Sequence, residues 1–138
     1  MTDLADALSA EHAAVFGYGA VGAHLSGALL KASQQAEDQH RARRDQLLER
    51  LAEASPAPPP AEPAYPLPFP VSNPQSAIKL ALHLEERVAA VWRATLGTTR
   101  GEDREHGVAA LIDCAVRASR WRTAAKQPPT VPFPGDPT

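Results

Sequence analysis

Two stretches of the chain carry the same spacing of buried-type positions. Leu4, Leu8, Glu11, Val15, Tyr18 and Gly22 follow a 4-3-4-3-4 rhythm, and Ile78, Leu82, Glu85, Ala89, Trp92 and Leu96 repeat it. Steps of three and four put such residues on one stripe of an α-helix. Each stripe carries an acid among apolar neighbours, and on the first Tyr18 follows Glu11 by two turns. Around these stripes the pattern predicts four helices, at about residues 3–24, 28–53, 73–97 and 102–126. Thr2 or Asp3 can cap the first. Asn73-Pro74 is a cap followed by proline at the first helical position. The first turn is expected near residues 24–28, because Gly22 to Gly27 is the weakest helical stretch of the first half, and the third helix breaks at Gly97-Thr98-Thr99-Arg100-Gly101. Glu102 and Asp103 then sit where the positive end of a new helix dipole favours acids.

Proline divides the chain. It is absent from residues 1–55 and 75–127, dense from Pro56 to Pro74, and returns from Pro128 to Pro137. An interior proline costs a helix about 3 kcal/mol, so the proline-free stretches hold helices. The segment of about residues 54–72 runs extended as a crossover. At about 3.1 Å per residue, polyproline II geometry lets it span a helix of about 33 Å, the length of 22 residues at 1.5 Å rise. The expected organisation is one bundle domain over residues 1–127 with a proline-rich tail at 128–138. A chain of 138 residues can bury a core without staples.

The composition narrows the function classes. A lone cysteine, Cys114, excludes an intrachain disulfide and supplies no zinc spacing, which leads to the expectation of a reducing, cytoplasmic setting. No apolar segment reaches membrane-spanning length. A formal net charge of -2 argues against nucleic-acid binding, and the arginine clusters at Arg41, Arg43, Arg44 and at Arg117, Arg120, Arg122 read as helix-face salt bridges.

The candidate chemistry lies in the acids. Glu11 and Glu85 occupy core-facing positions, where a carboxylate needs a partner. Helix two carries Glu37-Asp38-Gln39-His40, whose i,i+3 spacing puts a carboxylate and an imidazole on one face, continued by Leu47 and Leu51. Residues level in an antiparallel hairpin are equidistant from its turn. Glu11 and Glu37 centre on residue 24, and Glu85 and Asp113 on residue 99, so all four acids are expected at mid-bundle. In di-iron carboxylate bundles two helices each give a Glu and two give Glu-x-x-His. Three of these four contributions are present.

The order Glu, Glu-x-x-His, long crossover, Glu, acid resembles the ferritin-like superfamily. More closely, Glu11-His12-Ala13-Ala14-Val15-Phe16-Gly17-Tyr18-Gly19, His40-Arg41-Ala42-Arg43-Arg44-Asp45, Tyr65-x-Leu67-Pro68, and Ala115-Val116-Arg117-Ala118 to Trp121-Arg122 resemble a short actinobacterial ferritin-like family of unknown function. The resemblance spans nearly the whole chain. It implies an all-α, ferritin-like four-helix bundle with a proline-rich crossover between helices two and three, and brings no established activity. The sequence departs from a working di-iron pattern on helix four, where Asp113 replaces the longer Glu and Val116 stands where a second His belongs. Arg44 and Arg117 follow His40 and Asp113 by one turn and can supply positive charge in place of a metal. The expectation is a degenerate di-metal scaffold acting as a non-catalytic or interaction module, with an acid, His and Arg network that also includes Tyr18. The alternative is an iron- or manganese-binding oxidoreductase or iron-handling protein with Glu11, Glu37, His40, Glu85 and Asp113 as ligands. A third reading makes the bundle core a pocket for a small molecule held by Arg44 or Arg117. A homodimer and a monomer are equally compatible with the pattern.

Other signals are discounted. Gly17-Tyr18-Gly19-Ala20-Val21-Gly22 matches G-x-G-x-x-G, but a helical stripe runs through it, whereas the phosphate-binding motif needs a strand before it and a helix beginning at it. These glycines point instead to close helix contact. Cys114 has no local His to activate it, so no catalytic residue is assigned. Trp92 and Trp121 are expected to anchor packing.

Overall fold

The computed structural model describes residues 3–54 and 57–136, and among them the chain is all-helical, with four helices and no strand. Helix α1 (Leu4–Gly22) opens on Asp3, whose side chain accepts from the backbone N–H groups of Ala5 and Asp6 while Asp6 returns a bond to the Asp3 N–H. Thr2, the other expected cap, lies outside the described residues. Helix α2 (Gly27–Ala54) begins at a glycine with φ +60, a left-handed backbone that suits a residue without Cβ. Helix α3 (Pro74–Thr95) starts as expected: Asn73 and Ser76 close a reciprocal cap and Pro74 occupies the first turn. Helix α4 spans Gly101–Ala124.

The helices pair as α1 with α2, α1 with α3, and α3 with α4. Long side chains join α2 to α4: Arg43 to Asp113 at 2.7 Å, Arg50 to Asp103 at 2.7 Å, and Arg117 to Gln39. Residue numbers fall on one helix as they rise on the other, so these two run in opposite directions. The same holds for α1 and α3, where Tyr18 meets Glu85 and Trp92 meets Glu11. Gly17 lets α1 and α3 approach closely, since a Cβ there would sit 2.7 Å from both terminal methyls of Leu84.

Two apolar clusters fill the interior. One contains Tyr18, Val21, Ile78, Leu80, Leu82 and Trp121, and the other Leu8, Leu47, Leu51, Val88, Trp92 and Cys114. The connector after α2 lays Tyr65 against Phe16 and Phe69 against His83. After α4 the chain returns to α3, where Arg93 donates to the carbonyls of Phe133 and Pro134. Among the described residues no helix is long and apolar enough to cross a membrane.

Candidate functional site

Buried ionisable side chains converge where the two apolar clusters meet. Glu11 comes from α1, His40 from α2 between Ala36 and Leu47, and Glu85 from α3 between Leu84 and Val88; all three are at most 1% exposed. The His40 ring bridges the two acids, with Nδ1 2.5 Å from Glu11 Oε2 and Nε2 2.9 Å from Glu85 Oε2. From α4, Arg117 donates its Nε–H to Glu85 Oε1 at 3.0 Å and a second N–H to Gln39.

Aromatic donors close the remaining acceptor positions. Trp92 donates its indole N–H to Glu11 Oε1 at 2.9 Å. The Tyr18 hydroxyl donates to Glu85 Oε2 and accepts the Trp121 N–H at 3.0 Å. The Tyr18 ring also stacks on His40 with centroids 5.6 Å apart. Every carboxylate oxygen of Glu11 and Glu85 therefore has a partner, as buried charge requires.

This geometry favours a charged His40. A neutral imidazole has one N–H and one bare nitrogen, and the bare one would face a carboxylate oxygen at hydrogen-bond distance. With both acids ionised, only the imidazolium satisfies both sides. Burial by itself would lower the His40 pKa, but the Glu85 charge, the hydrogen bonds to Glu11 and Glu85 and the Glu11 charge outweigh it and raise it to about 9. Glu85 is held below the usual carboxylate range: burial pushes it up, and His40, Arg117 and the Tyr18 hydroxyl more than offset that. Tyr18 stays a phenol because burial and the Glu85 charge push its pKa well up. With His40 and Arg117 cationic and Glu11 and Glu85 anionic, the four charges sum to zero.

The five-ligand set expected from the sequence is split. Glu11, His40 and Glu85 come together, whereas Glu37 and Asp113 lie outside the cluster. Glu37 turns to Arg41 at 3.3 Å, and Asp113, half exposed at 51%, binds Arg43. The reason is angular. At about 100° per residue, the buried positions of α2 (Ser33, Ala36, His40, Leu47, Leu51) centre on a line that Glu37 misses by about 65°. On α4, Asp113 misses the line through Gly107, Ala110, Cys114 and Ala118 by about 110°. Equal distance from the turn set the height of these acids but not the direction they face. The expected charge network is likewise divided: Tyr18 and Arg117 join it, while Arg44 pairs with its neighbour Asp45 on the surface.

The sequence reading assigned Trp92 and Trp121 to packing and missed them as donors to this centre. The signal was present for Trp92, which stands two turns after Glu85 as Tyr18 stands two turns after Glu11. Cys114 also borders the centre, its Sγ 3.6 Å from Arg117; burial and the nearby Glu85 and Glu11 raise its pKa, so it remains a thiol.

As a metal site these residues do not fit. Both His40 nitrogens are committed to carboxylates, the two further acids face outward, and among the described residues no group of three or more His, Cys, Asp or Glu side chains is arranged to hold an ion.

The family described as "Domain of unknown function (DUF4439)" matches residues 3–138, and the chain belongs to it. Among solved structures the chain is similar to a conserved hypothetical protein, rv2844, from Mycobacterium tuberculosis. The two share 36% identity over 88% of this chain and 92% of that one, with a TM-score of 0.84. No curated protein shows significant similarity to the chain.

Proposed function

We propose that the chain is a ferritin-like bundle whose centre is held together by protons and an arginine in place of two metal ions, and that it serves as a non-catalytic interaction module. One observation carries this reading: His40 stands between Glu11 and Glu85 with both ring nitrogens engaged, and Arg117 completes a neutral set of four charges. Di-metal carboxylate bundles bring acids of the same four-helix layout together because two cations neutralise them. Here the imidazolium and the guanidinium do that, and every oxygen of the two acids already accepts a hydrogen bond from within the chain. For an ion to enter, His40 would have to give up a hydrogen bond and its extra proton, and Glu37 and Asp113 would have to leave Arg41 and Arg43.

The test is metal content by plasma mass spectrometry on untagged protein incubated with ferrous iron or manganese under nitrogen and then desalted, alongside His40→Ala. The expected result is metal far below one ion per chain in both proteins. One to two ions per chain, lost in His40→Ala, would overturn the reading in favour of an iron- or manganese-dependent oxidoreductase, for which oxygen consumption is then the assay.

A further inference from the structure

A cavity of about 340 Å³ lies between α1, α3 and the connector. On α1 its floor is made by Ala10, Ala13, Ala14 and Gly17, which share one helix face and present a methyl group or a hydrogen each. Leu84, Val88 and Val91 of α3 form a second wall, and the connector from Tyr65 to Pro68 forms the third. Pro66 and Pro68 stiffen that stretch. Tyr65 is held in place by its ring against Phe16 and by its hydroxyl, which accepts the Glu62 N–H at 2.9 Å. Phe16 and Leu67, both on the lining, are each 38% exposed, so the cavity offers large apolar side chains that the chain itself leaves uncovered.

The polar edge of this cavity carries one sign. Arg87 is the single formal charge among the lining residues, and His83 stands one turn before it on the same side of α3. Lys79, one further turn back, lies over the Phe69 ring at 4.4 Å. Arg87 is exposed, and among the described residues neither it nor His83 is in a hydrogen bond or an ion pair. The acids beside them on α3 are committed elsewhere, Glu85 to the buried centre and Glu86 to Arg122 of α4 at 3.0 Å. Glu62 of the connector is not part of the lining. Burial and the Arg87 charge lower the His83 pKa, so at neutral pH the imidazole is uncharged and has one N–H to give.

An apolar chamber edged by one cation and one imidazole N–H selects among ligands. A cationic guest would be repelled by Arg87, a neutral one would leave the guanidinium unused, and a doubly charged anion would bring more charge than the edge supplies. Small-molecule sites of about 300–1,000 Å³ have this composition, mostly apolar walls with a few placed polar groups. We infer that the cavity binds an apolar monocarboxylate, with its hydrocarbon body between α1, α3 and the connector and its carboxylate at Arg87 and His83. No side chain of the Glu11–His40–Glu85 centre lines the cavity, so this site is independent of whether that centre takes up metal.

Nitrogen–proton correlation spectra of the labelled full chain, titrated with octanoate at neutral pH, test it, with 1-octanol as the same tail without the charge. Octanoate is expected to bind saturably with a Kd below about 1 mM, shifting the amide signals of Gly17, Leu84 and Arg87, and 1-octanol to bind there more weakly. Arg87→Gln is expected to weaken octanoate by about fivefold, as for a partly screened ion pair, and to leave 1-octanol unchanged. Ala13→Phe fills the cavity and is expected to abolish binding of both, with far-UV circular dichroism to verify that the variant folds. No saturable shift up to about 10 mM octanoate, shifts that spare these residues, or an Arg87→Gln that binds octanoate as the wild type does would overturn the site. Movement of the same signals with protein concentration alone would also overturn it, by giving the cavity to a second copy of the chain.

Discussion

Trp92 on α3 donates to Glu11 on α1, and this bond has a mirror: Tyr18 on α1 donates to Glu85 on α3. Each helix contributes an acid and, two turns later, the donor that satisfies the other helix's acid. The 4-3-4-3-4 repeat shared by the two sequences is the linear trace of this exchange.

Trp92→Phe keeps an aromatic ring in the core but leaves Glu11 Oε1 buried without a donor. Hydrogen bonds to charged groups are worth about 1.5–3 kcal/mol, so urea unfolding is expected to show a loss of about 2–3 kcal/mol. A loss below about 0.5 kcal/mol would mean that the indole N–H contributes packing only.

The pH dependence of stability follows from His40. Its pKa is about 9 in the folded chain against 6.5 as the ordinary value, so the folded state holds a proton that the unfolded state releases. The contribution is complete below about 6.5 and is lost as pH rises through about 9, with an upper bound of roughly 3 kcal/mol. Glu11, Glu85, Arg117 and Tyr18 are the charged and titratable groups that face the ring. Cys114 and Tyr18, with pKa values raised by burial, add a further loss only above their own ordinary values. On the acid side, Glu85 loses its contribution as pH falls through its lowered pKa. His12 and His83, whose pKa values burial and neighbouring arginines lower, cost stability below about 6.5 as the unfolded chain takes up protons. Denaturant melts of the wild type are expected to weaken steadily from pH 6.5 to 8.5, and those of His40→Gln to stay nearly flat there. Parallel curves would show that the imidazolium carries no such role.

Glycine placement gives opposite effects two residues apart. At Gly17 a Cβ would press on Leu84, and at Gly19, on the exposed side of the same helix, it would meet nothing within 4 Å. Gly19→Ala is expected to stabilise by about 0.5–1 kcal/mol through helix propensity alone, and Gly17→Ala to destabilise by about 1–3 kcal/mol through overpacking. Thermal melts of the two single variants check both signs.

The fold was legible where sequence signals are local. Asn73-Pro74 marked a helix start, the glycines near residues 22–27 and 97–101 marked turns, and the stripes through Leu8 and Leu82 marked core faces. The centre was legible in part, because an acid among apolar neighbours must find a partner; His40, Arg117 and Tyr18 were named for that network, as was Arg44, which pairs with Asp45 instead. Glu37 misled because an i,i+3 step leaves a residue about 60° off its partner's line, enough for its carboxylate to reach Arg41, and Asp113 because equal distance from a turn sets a residue's height and not the side it faces. Trp92 and Trp121 were read as packing because an indole's acceptor lies on another helix, and no spacing within one helix reveals it.

The protonation state of His40 tests the account of the centre most directly. A long-range nitrogen–proton correlation spectrum of uniformly labelled protein at pH 7 reports both ring nitrogens. The account predicts that Nδ1 and Nε2 both show imidazolium shifts, and that this signal is absent in His40→Gln. A neutral His40 at pH 7, with one nitrogen unprotonated, would contradict it: the lone pair would then be free to bind a metal, and the centre would need a cation other than the proton.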